Sequence, residues 1–304
     1  NSLKAALYRL LSCYFQKELP WGTLNGIRPT KLVFEDCLRG KSRADMQAKL
    51  CRDYLVSEEK ADLCVSVGIK ETELLKNITY ESGYSLYVGI PFCPSTCLYC
   101  SFTSYPISAY REYADHYLDA LIREIHYIGE QYRDREMISL YVGGGTPTTL
   151  SPEQLERLFG ELKRCFDFGR VREITVEAGR PDSITAEKLS VLSENGVTRI
   201  SINPQTMNND TLRKIGRNHT AEDVADSFHA ARKAGFDNIN MDTICGLPGE
   251  GIRELETTFK ALGELEPDSI TVHALAIKRS APLNQMRDQF SCGADDEMIR
   301  FAQR

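Results

Sequence analysis

Three cysteines stand within eight residues, in Cys93-Pro-Ser-Thr-Cys97-Leu-Tyr-Cys100, and no further Cys or His follows until His116. A structural zinc site is closed by four ligands, so zinc here would have to recruit its fourth from elsewhere in the chain. Three thiolates can instead hold three irons of a 4Fe-4S cluster and leave the fourth iron open to an exogenous ligand. The other seven cysteines (Cys13, Cys37, Cys51, Cys64, Cys165, Cys245 and Cys292) are scattered singly inside periodic apolar segments. A free Cys behaves there as a small hydrophobe. With no secretory signal at the start, this usage points to a reducing, cytoplasmic setting and not to a disulfide framework.

Ligands of this kind need a scaffold that brings distant residues to one place. Up to about Gly83 the apolar residues recur with helical period: Leu3, Leu7, Leu10, Leu11 and Tyr14, then Met46, Leu50 and Tyr54, then Leu63, Val67 and Leu74. A turn-rich stretch from Trp21 to Pro29 interrupts them. Beyond Gly83 short β-rich runs alternate with longer helical ones. Strands are expected at 86–90, 138–142, 173–178, 199–203, 238–244 and 269–275, with helices at 109–132, 152–166, 185–194, 221–234 and 252–262. Ser151 reads as an N-cap with Pro152 at the first helical position. Strict alternation means a parallel sheet with right-handed crossovers, either doubly wound or curled toward a barrel. No G-x-G-x-x-G follows the first strand, which removes the main support for a dinucleotide fold.

In parallel α/β folds ligands collect at the C-terminal ends of the strands. The cysteine cluster follows the first strand, Gly143-Gly-Gly-Thr-Pro147 the second, Glu177 lies near the end of the third, and Gln205 follows the fourth. Asp242 precedes Gly246-Leu-Pro-Gly249 on the fifth, and the sixth carries His273 and ends near Ala276. His273 is the type of residue more often found satisfied in a core than acting as a catalyst. Asp242 precedes an apolar stretch, so it is expected to be buried and to need a partner such as Arg217.

The chain has 304 residues, 42% hydrophobic and 26% charged, with 37 Lys and Arg against 43 Asp and Glu, a net charge of −6. Nothing in that balance suggests a nucleic-acid binder, and an anionic ligand would need a local basic cluster. Lys278-Arg279, together with Arg28 and Lys31, is the candidate for one. The apolar runs are of strand length and too short for a membrane span. Because the pattern is already helical at Asn1 and breaks off in mid-pattern at Arg304, the sequence reads as an excerpt of a longer protein.

The C-x3-C-x2-C motif, with Tyr99 directly before its last Cys, resembles the signature of the radical S-adenosylmethionine (SAM) enzymes. Ile90-Pro-Phe-Cys93, Gly143-Gly-Gly-Thr-Pro147 and Gly246-Leu-Pro-Gly249 narrow the resemblance to the oxygen-independent coproporphyrinogen III oxidases (dehydrogenases). Asn203-Pro-Gln205-Thr-Met and Val272-His-Ala-Leu-Ala-Ile-Lys-Arg279 are most similar to its HemZ-type branch.

That resemblance implies an α/β fold: a partial (β/α)6 TIM-like radical SAM barrel over 84–276. A small helical region at 1–83 precedes it, and 277–304 begins a truncated C-terminal region. It implies a 4Fe-4S cluster on Cys93, Cys97 and Cys100, and SAM contacts from Tyr87, Tyr99, Gly144, Gly145, Thr146 and Glu177. Gln205, Arg217, Asp242 and Ala276 would serve a second SAM, with the backbone of Gly145 and Thr146. The implied activity is anaerobic oxidative decarboxylation of coproporphyrinogen III propionates to vinyls, giving protoporphyrinogen IX. The implied partners are this or a related tetrapyrrole and an electron donor such as flavodoxin or ferredoxin.

One position departs from the pattern. Where decarboxylases of the family carry a further Cys two residues after the last cluster ligand, this chain has Phe102. The related haem chaperones share that departure, though their His-Asn-x-x-Tyr-Trp stretch is absent here. A radical methyltransferase that opens haem anaerobically is a third possibility. The HemZ-like texture of strands four to six favours the decarboxylase.

Overall fold

The computed structural model describes residues 2–26, 28–76, 78 and 82–303. The chain divides into two compact units, Asn1–Glu81 and Ser82–Arg304.

In the first unit helices run over Ser2–Phe15, Thr30–Leu38, Arg43–Tyr54 and Glu58–Leu75. The last two start where the sequence supplies a cap. Ser42 accepts from the Asp45 N–H and Ser57 from the Lys60 N–H, pairing donors that a first turn leaves orphaned. Val33, Met46, Leu50, Ala61, Cys64 and Val65 form the core, none more than 3% exposed. A Cβ on Gly68 would come within 2.5 Å of the Val33 side chain, so glycine there lets two helices touch. Asp36 is buried in this unit, with Lys49 Nζ 2.7 Å and Lys41 Nζ 2.9 Å from its oxygens. The periodic stripe of the first helix contributes nothing to this core: Leu3, Leu7, Leu10, Leu11 and Tyr14 are all exposed, from 44% at Leu11 to 83% at Leu3.

The second unit is built on one parallel sheet of six strands in sequential order: β1 (Tyr84–Ile90), β2 (Met137–Gly144), β3 (Glu173–Gly179), β4 (Arg199–Gln205), β5 (Ile239–Cys245) and β6 (Ser269–Ala274). Between them lie helices Ala114–Gln131, Pro152–Cys165, Ala186–Glu194, Ala221–Lys233 and Ile252–Leu265. Ser151 caps the second of these in a reciprocal box with Gln154, and Thr220 caps the fourth with Asp223. A short helix, Asn209–Lys214, and a terminal one, Asp296–Ala302, complete the chain beyond the expected elements.

Period-two alternation divides the sheet into unlike faces. The rows that face the helices are aliphatic: Val88, Val142, Val176, Ile200 and Ile239 lie in mutual register and none exceeds 2% exposure. The intervening rows are polar, with Tyr87, Tyr141, Thr175 and Arg199 in one and Glu177, Ser201, Asn240 and Ser269 in another. A closed (β/α)8 barrel fills that inner face with branched apolar side chains; here it is left for polar chemistry. Pairing slips once between β3 and β4, at Glu177/Gly179, and once between β4 and β5, at Ile202/Gln205. These two fall at the C-terminal ends of the strands, where bulges re-aim side chains; a third, at Tyr84/Ser85, lies at the start of β1. No helix among the described residues is long and apolar enough to cross a membrane.

Candidate active site

From β1 the chain passes to Phe92–Cys93, which pairs with Tyr105–Pro106. The loop that follows is tied down by three hydrogen bonds to two distant segments, at 215–216 and at Leu283. Leu98 N–H donates to Ile215 O at 3.0 Å, Leu98 O accepts from Leu283 N–H at 2.8 Å, and Ser95 Oγ donates to Gly216 O at 2.8 Å. Cys93 and Cys97 are each 8% exposed and Cys100 is half-buried. Their sulfurs have donors close by: Thr146 Oγ1 is 3.5 Å from Cys93 Sγ and Arg180 Nη1 3.7 Å from Cys97 Sγ. Burial pushes the thiols of Cys93 and Cys100 up; for Cys93 the Thr146 hydrogen bond pulls the other way. Among the described residues no three His, Cys, Asp or Glu side chains converge on a single ion. A polynuclear cluster asks for less, because each thiolate meets a different iron.

The glycine turn after β2 lies against this loop. Gly145 N–H donates to Ile90 O and Thr146 N–H to Phe92 O, both at 2.7 Å, while Gly144 N–H reaches Glu177 Oε2 at 3.2 Å. A Cβ at Gly145 would stand 2.5 Å from Phe92 O, so any larger residue would push the turn off the loop. Since all three N–H groups are engaged, a ligand at this turn meets carbonyl oxygens. Glu177 is fixed on its other side by Tyr141, whose hydroxyl donates to Oε1 at 2.6 Å. Tyr141 stacks on Tyr87 with ring centres 5.9 Å apart, and Tyr87 is 60% exposed. Burial raises the Glu177 carboxyl above its ordinary value, against the pull of Tyr141 and Gly144.

Past the slips of register the strand ends carry buried polar groups. Arg217, 5% exposed, donates to Tyr99 Oη at 3.0 Å and to Asn203 O, and lies beside Cys97. Gln205 has φ +69° and is 8% exposed. Its Oε1, Arg217 Nε, Thr243 Oγ1 and both ring nitrogens of His219 are buried with no hydrogen-bond partner. Two expectations are corrected here. Asp242 is half-buried and is bonded by Asn240 Nδ2 at 2.7 Å, not by Arg217, because the neighbouring amide on its own strand is nearer. His273 is exposed, as the sixth strand is an edge covered on one side only. Ala276, Lys278 and Arg279 are also exposed just beyond that strand, whereas Arg28 and Lys31, likewise exposed, belong to the first unit.

Tyr141, Arg180 and His219 are participants that the sequence reading passed over. Tyr141, like Tyr87, stands two residues before a glycine on its strand, and Arg180 directly follows the third strand, but neither placement marks a site by itself.

A model of the radical SAM superfamily matches residues 87–262. The chain belongs to the radical SAM superfamily. It is 38% identical over 305 residues to the oxygen-independent coproporphyrinogen-III oxidase-like protein HemZ of Bacillus subtilis, an alignment covering 99% of this chain and 61% of that protein. It is 39% identical over 195 residues to the haem chaperone HemW of the same organism, covering 64% of this chain and 51% of that one. The solved coproporphyrinogen III oxidase HemN of Escherichia coli superposes with TM-score 0.66 at 30% identity, over 77% of this chain and 54% of HemN. The chain thus spans between about half and three fifths of the length of these relatives.

Radical SAM proteins use a 4Fe-4S cluster and SAM, and the residues present fit both. Three cysteines with no fourth on their loop suit a cluster with an open iron. Buried polar atoms without protein partners, grouped at the strand ends beside that loop, suit a polar ligand, because each is costly to leave unpaired.

Proposed function

We propose that this radical SAM protein carries out the anaerobic oxidative decarboxylation of coproporphyrinogen III propionates to vinyl groups. The observation that carries this reading is collinearity with a protein named for its likeness to the oxidase: the alignment with the oxidase-like HemZ runs over 99% of the chain, while those with HemW and with the coproporphyrinogen III oxidase of Escherichia coli cover 64% and 63% of it. Residues 84–276 would carry the cofactor site, with 1–83 and 277–304 flanking it.

In this reading Cys93, Cys97 and Cys100 hold three irons and leave the fourth to SAM. When bound, the cluster supplies an electron to SAM and hence a carbon radical able to take a hydrogen atom from a propionate. The chain's own residues bind and orient. The carbonyls of Gly144 and Gly145 and the Glu177 carboxylate suit the SAM ammonium, since the N–H groups of that turn and the Thr146 carbonyl are already engaged. Tyr141 holds the carboxylate in place, and Tyr87 and Tyr99 offer ring faces. Gln205, Arg217 and Asp242, with Ala276 at the rim, would take a second molecule of SAM. Lys278 and Arg279 would meet the substrate's carboxylates, and a flavodoxin- or ferredoxin-like donor would reduce the cluster.

Phe102, 76% exposed beside the last cluster cysteine, favours a second reading. A haem chaperone of the same family would bind cluster and SAM but leave porphyrinogen unchanged. The protein reconstituted anaerobically with iron and sulfide, then given SAM, a strong reductant and coproporphyrinogen III, separates the two. Deoxyadenosine rising with loss of two carboxyl groups by mass supports the decarboxylase. Unchanged porphyrinogen with stoichiometric haem binding supports the chaperone.

A further inference from the structure

The Arg180 guanidinium has more partners than any other polar group near the cysteine loop. It follows Gly179, whose φ of +67° turns the chain at the end of β3, and it is 3% exposed. Nε and Nη2 grip Asp182 in a fork at 3.0 and 2.7 Å. Nη1 reaches the cysteine loop instead, donating to Ser95 O at 3.1 Å, to Ser95 Oγ at 2.8 Å and to Cys97 Sγ at 3.7 Å. The arginine's own carbonyl is pinned by the Ser183 N–H and hydroxyl, at 2.9 and 2.8 Å. A planar fork with all three of its nitrogens engaged is held in one orientation, so the charge near Cys97 is fixed in place.

We propose that Arg180 is a positioning residue for the cluster: it holds the Cys93–Cys100 loop at Ser95 and sets the reduction potential of the bound group through its contact with the Cys97 sulfur. The proposal rests on Cys97 being a cluster ligand. Hydrogen bonds and positive charge at a ligating sulfur stabilise the more negative, reduced cluster and so raise its potential. Asp182 tempers that effect by neutralising part of the arginine's charge from the far side. In a radical SAM protein this decides how much cluster is reduced by a given donor, and therefore how readily SAM is cleaved.

The test is an anaerobic redox titration of the reconstituted protein, without SAM, followed by electron paramagnetic resonance, alongside iron and sulfide analysis. Arg180→Gln should keep its cluster and lower the ratio of reduced to oxidised cluster at fixed solution potential about tenfold, or about 59 mV for a one-electron couple. Asp182→Asn keeps the arginine and removes its counter-charge, so its ratio should rise. Arg180→Lys, which keeps the charge but loses the fork, should fall between wild type and Arg180→Gln. A fully loaded Arg180→Gln with an unchanged ratio overturns the proposal. Should Arg180→Gln hold too little cluster to titrate, an unchanged ratio in Asp182→Asn overturns it equally. Cys97→Ala tests the underlying reading on its own: a full cluster there removes Cys97 as a ligand whatever Arg180 does.

Discussion

Asp36 in the first unit is 2% exposed and has Lys49 and Lys41 at 2.7 and 2.9 Å. In the second unit Gln205, Arg217 and His219 are buried to 8%, 5% and 3%, yet Gln205 Oε1, Arg217 Nε and both His219 nitrogens lack partners. An unsatisfied buried polar atom costs on the order of 1–3 kcal/mol. A protein can leave several together only where something other than stability has set them. Asp36 Oδ1 also lacks a hydrogen bond of good geometry, but Lys41 stands 2.9 Å from it and Lys49 bonds Oδ2, so the charge of the first unit's carboxylate is matched by the chain's own lysines. In the proposed reading the second unit's groups would be matched by a bound ligand. Burial of polar residues is therefore a poor guide to function, whereas incomplete pairing of buried polar residues is a good one.

The comparison can be broken in several places. The largest effect is expected at the cysteine loop: Cys93→Ala should lose nearly all bound iron and sulfide while the circular dichroism of the fold stays unchanged. Retained cluster would remove the loop from the ligand-dependent set. Acid comes next. Burial, with Arg217 as the next cause and Asp182 opposing, lowers the His219 pKa from 6.5 to about 4. The unfolded chain thus binds a proton below pH 6.5 that the folded chain refuses. The stability this group gives is complete above pH 6.5 and falls progressively toward pH 4, by roughly 3 kcal/mol. Burial raises the Asp36 carboxyl, but its bonds to Lys49 and Lys41 prevail and hold it below 3.8. Its contribution is therefore kept down to that value and lost only as pH falls through the lower folded one. Rate-corrected hydrogen exchange at pH 7 and 5 should show the second unit loosening first, and His219→Asn should flatten the difference. Loosening of the first unit ahead of the second would contradict it.

Smaller effects should separate the two kinds of burial directly. Lys49→Met leaves Asp36 short of one cation, though not of Lys41, and should lower urea stability of the first unit by about 2 kcal/mol. Gln205→Met, which removes an orphaned oxygen at similar volume, should leave the SAM-free protein as stable as before. It should weaken SAM binding about fivefold in equilibrium dialysis, about 1 kcal/mol. Destabilisation without any change in SAM binding would make Gln205 a structural residue.

The six strands were legible because period-two and period-3.6 patterns separate cleanly in this chain, and the cap at Ser151 punctuates them. Helix Asn209–Lys214 was not, since six residues are too few to show a period. The stripe of Leu3, Leu7, Leu10, Leu11 and Tyr14 has helical period, but periodicity gives a face and not what covers it. In the site, the cysteines and glycine turn were readable from spacing alone. Tyr141 and Arg180 were not, because an aromatic within a strand resembles core and an arginine after one resembles surface. The pairing of Asp242 with Asn240 follows from two residues on the same strand and face, a local rule that gave way to the expectation of a charge partner.

β1 and β6 lie at opposite edges of the sheet and do not pair with each other among the described residues. In a closed barrel strand number and shear fix the diameter, so a wide guest would have to break ladder bonds to enter. Along an open seam the curl can relax through strand twist alone, with every backbone bond kept. In the proposed reading the polar face would admit a broad, rigid guest sideways, and the guest's width need not be legible in the resting dimensions of the sheet.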